Sequence, residues 1–366
     1  MKRLTTLILA LALCAWLCPF NANALGRTPC PEAKEVHSGT CGDNLTWSLD
    51  EEEGILYING TGDMHDYSSS ILNHVPWLWL ECYITSINIG EGVTSIGDWA
   101  FDDCYLINSI TVPEGVTSIG KYAFSECDAL ETIVIADSVT SIGDKAFYRC
   151  PALKNITLGN GLTTMGYDVF AESILKIENV YVNDIAMLCG IDYNTRYDSS
   201  SNPLVYAENL YLNGERVSDL VIPEGVTTIK YKAFTNCEFL TSVTIPDSVT
   251  YIGEGAFRYG SNIETVYYAG SRSQWEDITI ESGNDDLLGA NIIYNWNGVP
   301  EYIIGDVTGD GKVNAHDAAF VLRYDAGLIG PDKLVLSVAD VTGDSKVNAL
   351  DAAFILRFDA GLIPEL

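Results

Sequence analysis

A repeat with a period of 23 residues constrains the fold of this chain more than any other feature. The string GVTSIGDWAF, which ends at Phe101, returns five times with variations, and the first four copies follow one another without a gap. The phenylalanines that end the six copies are Phe101, Phe124, Phe147, Phe170, Phe234 and Phe257. A fixed period of this length indicates a solenoid, in which each repeat forms one coil and neighbouring coils stack.

Each repeat contains one strand pattern and two turn signals. An alternation such as that of Leu130–Ile135 predicts a short strand with one inward face. Pro113 and the residues after it turn the chain, and we expect the Ala-Phe pair to lie on a turn or short helix with its ring in the core. One coil cannot cover its own apolar face, so the coils must stack. The predicted fold is a β-rich solenoid of short parallel strands, with a period in the range of leucine-rich repeats, about 20–29 residues.

Four cysteines follow a repeat phenylalanine by three residues. These are Cys104, Cys127, Cys150 and Cys237. Equivalent positions of a solenoid form a column, with neighbours about 5 Å apart, so we interpret them as a ladder of buried free thiols rather than disulfides. Cys30 and Cys41 are a better candidate disulfide of an exported chain. The pattern assigns no partner to Cys82 or Cys189.

The first 24 residues have the form of a secretory signal peptide. Lys2 and Arg3 precede an apolar run over residues 4–17, and an A-x-A triplet ends at Ala24. A membrane anchor would need about 20 apolar residues, and Pro19 interrupts the run too early. We therefore expect an extracellular protein without membrane insertion.

The charge of the chain excludes some partners. After removal of the signal peptide, 18 Lys and Arg stand against 50 Asp and Glu. So acidic a surface repels nucleic acid and anionic membranes. With 47% hydrophobic residues the chain is nevertheless a folded one.

The repeat consensus V-T-x-I-G-x-x-A-F-x-x-C resembles the BspA-like family of bacterial surface leucine-rich-repeat proteins. The resemblance covers about residues 36–295. Its flanks also fit: Ser38–Trp47 looks like the N-terminal cap of that family, and Tyr267–Trp275 looks like its C-terminal coil. The interruption of the repeat at 171–217 is also familiar from the family, so we interpret it as part of the solenoid. The family implies adhesion or ligand binding, and leaves open whether the ligand is a protein or a polysaccharide.

A second duplication occupies the C-terminal end. Asp306–Ile329 returns as Asp340–Ile363, and 20 of the 24 positions are identical. Each copy opens with an EF-hand-like loop, in which Ca²⁺ takes oxygen ligands from loop positions 1, 3, 5, 7, 9 and 12. The predicted ligands of two Ca²⁺ ions are Asp306, Thr308, Asp310, the Lys312 carbonyl, Asn314 and Asp317, then Asp340, Thr342, Asp344, the Lys346 carbonyl, Asn348 and Asp351.

The two loops depart from the usual EF-hand pattern in three ways. Threonine occupies position 3, and the shorter aspartate occupies position 12. At the sharp-turn position 6 the first loop has Gly311, whereas the second has Ser345. A side chain at a position with φ > 0 is strained, so we expect weaker binding at the second loop.

Two loop-then-helix units at this spacing resemble a type I dockerin, with a match over about Ile303–Ile363. The resemblance implies binding to a cohesin domain of a scaffolding protein, in a cellulosome-like, polysaccharide-degrading extracellular assembly, either free or at the cell surface. The partner-recognition positions of that family fall here on Ala315, His316, Leu322, Arg323, Ala349, Leu350, Leu356 and Arg357. Because the two halves are nearly identical, either could present the binding face. They differ clearly at one of these positions, where His316 corresponds to Leu350, so we expect two binding orientations of unequal strength.

These patterns predict five segments. They are a signal peptide at 1–24, an N-terminal cap at 25–80, a solenoid at 81–295 with the irregular insertion at 171–217, a linker at 296–302, and an all-α duplicated EF-hand-like dockerin at 303–366.

No catalytic pattern emerges from the sequence. A glycosidase needs two carboxylates about 5–10 Å apart in a cleft, whereas the solenoid's acids, such as Glu114 and Asp137, recur at turns. Trp77 and Trp79 are predicted to lie in the core of the cap rather than to stack on sugar. The hypothesis is a secreted, non-catalytic binding or adhesion protein, whose solenoid recognises its ligand through an acidic face. The alternative is a polysaccharide-degrading hydrolase or protease-regulating component with a cryptic site in 171–217.

Overall fold

A computed structural model describes residues 37–173, 177–194, 201–296, 304–308, 312–334 and 336–366. The predicted signal peptide, Cys30 and residues 297–302 of the predicted linker lie outside these ranges. Contacts between Cα atoms divide the chain into two compact units, and each is described by itself. The first contains the residues up to Thr244 together with Ser248–Val266 and Ile278–Asn291, and the second contains Ile245–Asp247, Tyr267–Asp277 and Ile292–Leu366.

Short strands are the main regular secondary structure of the described chain. They are β1 (His37–Thr40), β2 (Leu45–Asp50), β3 (Ile55–Gly60), β4 (Gly62–Asp63), β5 (Ser86–Ile89), β6 (Val93–Ile96), β7 (Ser109–Val112), β8 (Ser118–Ile119), β9 (Thr132–Ile135), β10 (Ser141–Ile142), β11 (Asn155–Thr157), β12 (Thr164–Met165), β13 (Ile177–Val182), β14 (Asp192–Tyr193), β15 (Ala207–Leu212), β16 (Glu215–Arg216), β17 (Asp219–Val221), β18 (Thr228–Ile229), β19 (Ser242–Ile245), β20 (Tyr251–Ile252), β21 (Thr265–Tyr268), β22 (Thr279–Ile280) and β23 (Asn291–Ile293).

The helices are few and short. They are α1 (Ile185–Gly190), α2 (Arg272–Glu276), α3 (Asp285–Gly289), α4 (Ala315–Asp325) and α5 (Ala349–Asp359), with 3₁₀ turns at Ile71–Asn73, Pro203–Val205, Pro331–Lys333 and Leu336–Val338. None of the helices in the described part of the chain has the length and apolarity needed to cross a membrane.

Each regular coil contributes one strand to each of two parallel sheets. One sheet has the order β14-β12-β10-β8-β6-β4 and the other β16-β15-β13-β11-β9-β7, with only β16 antiparallel to its neighbour. Further sheets have the orders β1-β2-β3-β5, β17-β19-β21-β23 and β18-β20-β22. Ile110 lies opposite Ile133, and Ile133 opposite Ile156, so the register follows the sequence repeat. The predicted leucine-rich-repeat solenoid of short parallel strands is confirmed.

The interruption of the repeat stays within these sheets. Val180 of β13 pairs with Ile156 on one side and with Leu210 of β15 on the other. Tyr193 of β14 pairs with Met165. The interruption therefore lengthens one coil, which also carries α1, without leaving the solenoid.

A column of rings fills the centre of the coils. The six repeat phenylalanines are buried, and neighbouring rings stack with centroids 5.2–5.7 Å apart. Trp77 continues the column at 5.6 Å from Phe101, as predicted for a core residue. The prediction for Trp79 is wrong: it lies in a turn with φ +79° and is 62% exposed.

The repeat cysteines form the predicted ladder of buried free thiols. The Cys150 Sγ donates to the Phe124 carbonyl of the preceding coil at 3.2 Å, and burial raises the pKa of Cys150 to about 12. The predicted Cys30–Cys41 disulfide is wrong, because Cys41 is a buried free thiol in the turn that joins β1 to β2. Cys82 is in a disulfide.

The outward side chains of β7, β9, β11, β13 and β15 form two uncharged columns, which we call the neutral face. One column is Ser109, Thr132, Asn155, Asn179 and Asn209, and the other is Thr111, Val134, Thr157, Tyr181 and Tyr211. These side chains are exposed or half-buried, whereas the residues between the two columns face the core.

The C-terminal helices pack around a small core of their own. The buried residues of this core are Val307, Ala318, Val321, Val338, Ala339, Ala352 and Ile355. The second unit therefore contains a compact helical module, as the duplicated segment predicts.

Candidate calcium and docking site in the C-terminal module

Each metal-loop candidate ends inside the helix that follows it. Asn314 is the N-cap of α4, and the Asn314 and Asp317 side chains form a capping box with each other's backbone N–H groups. Asn348 and Asp351 form the same arrangement at the start of α5. Loop positions 9 and 12 are thus held in place by the first turn of a helix.

Side-chain oxygens from loop positions 1, 3 and 12 converge in both copies. The Thr308 Oγ1 donates to the Asp317 Oδ1 at 2.8 Å and lies 3.5 Å from the Asp306 Oδ1. In the second copy the Thr342 Oγ1 lies 2.9 Å from the Asp351 Oδ1 and 3.3 Å from the Asp340 Oδ1. Repetition of this geometry in two copies indicates that the loop sequence itself produces it.

Backbone N–H groups close the second loop around Asp340. The Asp344 N–H donates to one carboxylate oxygen of Asp340 at 3.1 Å, and the Ser345 N–H donates to the other at 2.7 Å. Ser345 has φ +67°, so it takes the left-handed backbone that the sequence comparison anticipates. The strain of a side chain in this region is therefore present in the second loop.

Two of the predicted ligands are fully buried carboxylates, Asp317 and Asp351. In the described residues neither carboxylate forms an ion pair with Lys, Arg or His. Burial of an unpaired negative charge is unfavourable, and a hard divalent cation with oxygen ligands would offset it. The chemistry of the donor set therefore fits Ca²⁺.

The structure does not group all of the predicted ligands. Asp310 and Gly311 lie outside the described residues, so the first loop is seen only in part. Over the described ranges, no three His, Cys, Asp or Glu side chains are grouped to hold a metal; in the second loop, the Asp344 Oδ1 accepts from the Lys346 N–H at 2.9 Å. The complete ligand set remains a prediction.

The eight predicted docking residues are all at the surface, in two equivalent groups. Ala315 and His316 begin α4, as Ala349 and Leu350 begin α5. About two helical turns further on, the side chains of Leu322 and Leu356 are 43% and 42% exposed. Arg323 and Arg357 each lie 5.6 Å over a phenylalanine ring of their own helix.

Sequence reasoning missed a reciprocal cap between the two helices. The Asp359 Oδ2, at the end of α5, accepts from the Ala315 N–H at 2.9 Å. The Asp325 Oδ2, at the end of α4, accepts from the Ala349 N–H at 3.0 Å. The duplicated aspartate at the end of each copy was the available signal. The exchange gives the module an internal two-fold relation, because each helix end caps the other helix start.

A second missed feature is a pair of exposed leucines after the helices. Leu328 is 73% exposed and its counterpart Leu362 is 71% exposed. With Leu322 and Leu356, each half of the module therefore exposes two leucines.

A parallel solenoid with buried phenylalanine and cysteine columns, joined to a duplicated loop-helix module, defines a leucine-rich-repeat protein with a docking module. The family model described as "BspA type Leucine rich repeat region" matches six copies over residues 78–192 and 207–282, more than half of the chain. The chain belongs to the BspA-type leucine-rich-repeat family.

The C-terminal module matches a second family. The model for the type I dockerin domain covers residues 304–358. Type I dockerins are calcium-binding modules whose partners are cohesin domains, and leucine-rich repeats are protein-binding modules. The recognition of both modules from their sequence motifs is confirmed.

Several solved structures are similar to the solenoid. A leucine-rich-repeat protein from Eubacterium ventriosum is 23% identical, with 64% of this chain and 73% of that chain covered and a TM-score of 0.38. A leucine-rich cell-surface protein from Faecalibacterium prausnitzii is 19% identical, with coverage of 69% and 99% and a TM-score of 0.23. The T. pallidum leucine-rich-repeat protein is 20% identical, with coverage of 63% and 85% and a TM-score of 0.27. Comparison with curated proteins finds no match.

Proposed function

We propose that this chain is an exported, non-catalytic binding component that docks through its C-terminal module onto a cohesin-bearing scaffold and presents its solenoid to a ligand. The observation that carries the docking half is the convergence of loop oxygens beside the buried carboxylates of Asp317 and Asp351. The exposed first turns of α4 and α5 lie next to these loops.

Calcium links the loops to the docking surface. Two Ca²⁺ ions, held by the loop positions already named, neutralise the buried carboxylates when bound. Asp317 and Asp351 are also the N3 residues of α4 and α5, so loss of the ion would leave a buried charge in the first turn of each helix. Because metal binding and folding are coupled in small metallo-domains, the docking surface should form only with calcium.

The two helix starts offer two docking orientations. Arg323 and Leu322 in one half correspond to Arg357 and Leu356 in the other, but His316 corresponds to Leu350. Leu350 is 50% exposed and apolar, whereas the His316 ring packs edge-on against Phe320 at 5.0 Å. We expect the two orientations to differ in affinity for a given cohesin.

Binding of the full chain to a panel of purified cohesin domains tests the docking half. We expect a 1:1 complex by calorimetry in calcium that disappears in EGTA. The double variant Asp317→Asn, Asp351→Asn should lose binding, whereas Asp285→Asn, an exposed helix-start aspartate in the solenoid unit, should bind normally. Binding that persists in EGTA, or in the double variant, would contradict the proposal.

Variants of one half at a time test the two orientations. Leu322→Asp with Arg323→Glu should leave binding through the other half, as should Leu356→Asp with Arg357→Glu. Only the combination of both pairs should abolish binding. If either pair alone abolishes it, docking uses one fixed orientation.

The absence of catalysis is a separate part of the proposal. Incubation of the full chain with plant polysaccharides and with casein should release neither sugars nor peptides above a buffer control. Reproducible release would favour the alternative of a hydrolase instead.

A further inference from the structure

The reciprocal cap of the C-terminal module lies at the two places where docking is expected to begin. Ala315 and Ala349 are the first residues of α4 and α5, and both are predicted docking residues. The Ala315 N–H donates to the Asp359 Oδ2 of the second copy at 2.9 Å. The Ala349 N–H donates to the Asp325 Oδ2 of the first copy at 3.0 Å. The start of each predicted docking surface is therefore held by the helix end of the other copy.

The next N–H groups of each helix are satisfied within their own copy. In α4, the His316 N–H donates to the Asn314 Oδ1 at 2.8 Å, and the Asp317 N–H donates to the Asn314 carbonyl at 3.1 Å. In α5, Asn348 accepts the two equivalent bonds at 2.9 and 3.1 Å. The first turn of each helix thus relies on its own loop for these bonds and on the other copy for the bond at its first residue.

Asp325 and Asp359 have the wrong charge for the helices that contain them. Each is the last residue of its helix, and the helix dipole disfavours a negative charge at that end. At the start of a helix the same dipole favours a carboxylate. Asp359 meets the start of α4, and Asp325 meets the start of α5. The favourable electrostatic interaction of each aspartate is therefore with the other copy.

Backbone groups close the ends of both helices. After α4, the Gly327 N–H donates to the Tyr324 carbonyl at 2.8 Å. The next N–H, that of Leu328, donates to the Arg323 carbonyl at 2.8 Å. Gly327 has φ +69°, and Gly361 has φ +67° after α5, so both helices have the left-handed glycine end that is common in proteins. The helix ends are fixed by their backbone, and the aspartate side chains are available to the other helix.

We infer that Asp359, through its hydrogen bond to α4, positions the docking surface of the first copy, and that Asp325 positions the docking surface of the second. The first surface consists of Ala315, His316, Leu322 and Arg323, and the second of Ala349, Leu350, Leu356 and Arg357. Each docking orientation then takes its contacts from one copy and its support from the other. Without the cap, the first turn of the contacting helix has to be ordered on binding, which lowers affinity. This assignment rests on the proposed docking function.

Cohesin affinity of the full chain, with only one docking surface intact, tests the crossed dependence. The two backgrounds are Leu356→Asp with Arg357→Glu, which leaves the first surface, and Leu322→Asp with Arg323→Glu, which leaves the second. In the first background, Asp359→Ala should weaken binding about fivefold, the loss expected for one helix cap, whereas Asp325→Ala should change it by less than about twofold. In the second background the two aspartates should exchange these effects. A general loss of stability would act on both backgrounds alike.

Asparagine at the same positions is the matched control. An asparagine side chain caps a helix about as well as aspartate does. In the first background, Asp359→Asn should therefore bind cohesin within about twofold of its parent. A loss equal to that of Asp359→Ala would show that the hydrogen bond is not the cause, and it would overturn the inference.

Amide exchange of the full chain in calcium provides a readout that does not depend on cohesin. The segment around Ala315 should exchange about fivefold faster in Asp359→Ala and at an unchanged rate in Asp325→Ala. The segment around Ala349 should show the reverse. Faster exchange at both helix starts in each variant, or loss of the module's melting transition in calcium, would show that the caps support the module as a whole. Either result would overturn the inference.

The remaining outcomes separate the inference from the proposed function. If the unmodified chain binds no cohesin of the panel, docking fails and the inference fails with it. If docking uses one fixed orientation, one background still binds, and there the aspartate of the other copy must be the one that matters. If neither background binds although the unmodified chain does, the surface spans both copies and the crossed assignment is overturned. Binding that both alanine variants weaken equally, or that neither weakens, would overturn the inference and leave docking in place.

Discussion

The solenoid and the C-terminal module are both built by duplication, but they stabilise their copies in different ways. In the solenoid, each copy is displaced along one axis, so equivalent residues such as Phe124 and Phe147 stack on each other. In the module, the two copies exchange their end caps through Asp325 and Asp359.

The difference extends to what is buried. The centre of the solenoid contains apolar rings, aliphatic side chains and protonated thiols. The small core of the module lies beside the buried carboxylates of Asp306, Asp317 and Asp351. Apolar packing therefore dominates the centre of the solenoid, whereas a bound cation would stabilise the module by offsetting its buried carboxylates. The two regions should respond to different perturbations, and the following predictions test that contrast from the largest expected effect to the smallest.

Removal of calcium should unfold the module and spare the solenoid. Without the ion, Asp317 and Asp351 have no cationic partner among the residues that the structure describes. Each site also loses the stabilisation that a bound ligand supplies, about 2.7 kcal/mol at a concentration 100 times Kd. Calorimetry of the full chain should show one transition lost in EGTA and the other within about 2 °C of its original position. Equal shifts of both transitions would show that the two regions are not independent.

Truncation of a stacked phenylalanine should destabilise the solenoid and spare the module. Phe147→Ala removes a fully buried ring between Phe124 and Phe170, and we expect a loss of about 3–5 kcal/mol in the unfolding free energy of the solenoid. Cohesin affinity should not change, since the module has its own core. Phe147→Leu is the matched control and should cost less, because it leaves a smaller cavity. A loss below about 1 kcal/mol for Phe147→Ala would argue against the tightly packed column.

A buried carboxylate in the solenoid should make its stability depend on pH. The Asp102 Oδ1 is buried without a hydrogen-bond partner. Burial, and then the carboxylates of Glu126, Asp103 and Glu81, raise the pKa of Asp102 to about 7, despite a hydrogen bond from Ser125. Because the folded pKa lies above the unfolded value near 4, the stability that this group contributes is complete below pH 4 and is lost as the pH rises through 7.

Asp102→Asn should remove that loss. At pH 8 we expect the free energy of unfolding of the variant to exceed that of the unmodified chain by about 2 kcal/mol, after allowance for the partial exposure of Asp102. Near pH 4 the two free energies should be equal. Denaturant unfolding at several pH values measures the difference. Asp43→Asn, with a fully exposed side chain, is the control. A gain that does not shrink as the pH falls would show that Asp102 stays ionised in the folded state.

The smallest effect concerns the asymmetry between the two loops. Ser345 holds φ +67° at the position where the first loop has glycine. Ser345→Gly should relieve about 1 kcal/mol of strain, which corresponds to roughly a fivefold gain in calcium affinity at the second loop. Calcium titration by calorimetry checks this, with Ser337→Gly as a control outside the loops. An unchanged affinity would mean that the loop tolerates serine without cost.

The repeat period predicts a large part of the fold because it acts locally. A spacing of 23 residues between phenylalanines implies the register in which Ile133 pairs with Ile110 and Ile156. The same reasoning explains the turn acids: the Glu114 carboxylate accepts from the Asp137 N–H of the next coil at 3.2 Å. Where the repeat is regular, each coil repeats the environment of its neighbour, so one coil predicts the next.

Prediction fails where that regularity ends. Trp79 and Cys41 both lie in the N-terminal region before the regular coils, where no period specifies their surroundings. In the coil that contains the interruption, Ile177 and Ala207 are partners although 30 residues separate them. Such a spacing follows from how α1 and the 3₁₀ turn pack, which is not a local property.

By itself the sequence determined the solenoid, its inward rings and thiols, and the two loop-helix units, because each depends on residue types at fixed short spacings. Only the tertiary structure decided that Cys82 and not Cys41 is in a disulfide, and that Asp325 and Asp359 exchange caps. These features join residues that are distant along the chain. Their proximity depends on the spacing of the coils and on the shape of the irregular coils. Both result from side-chain packing throughout the stack.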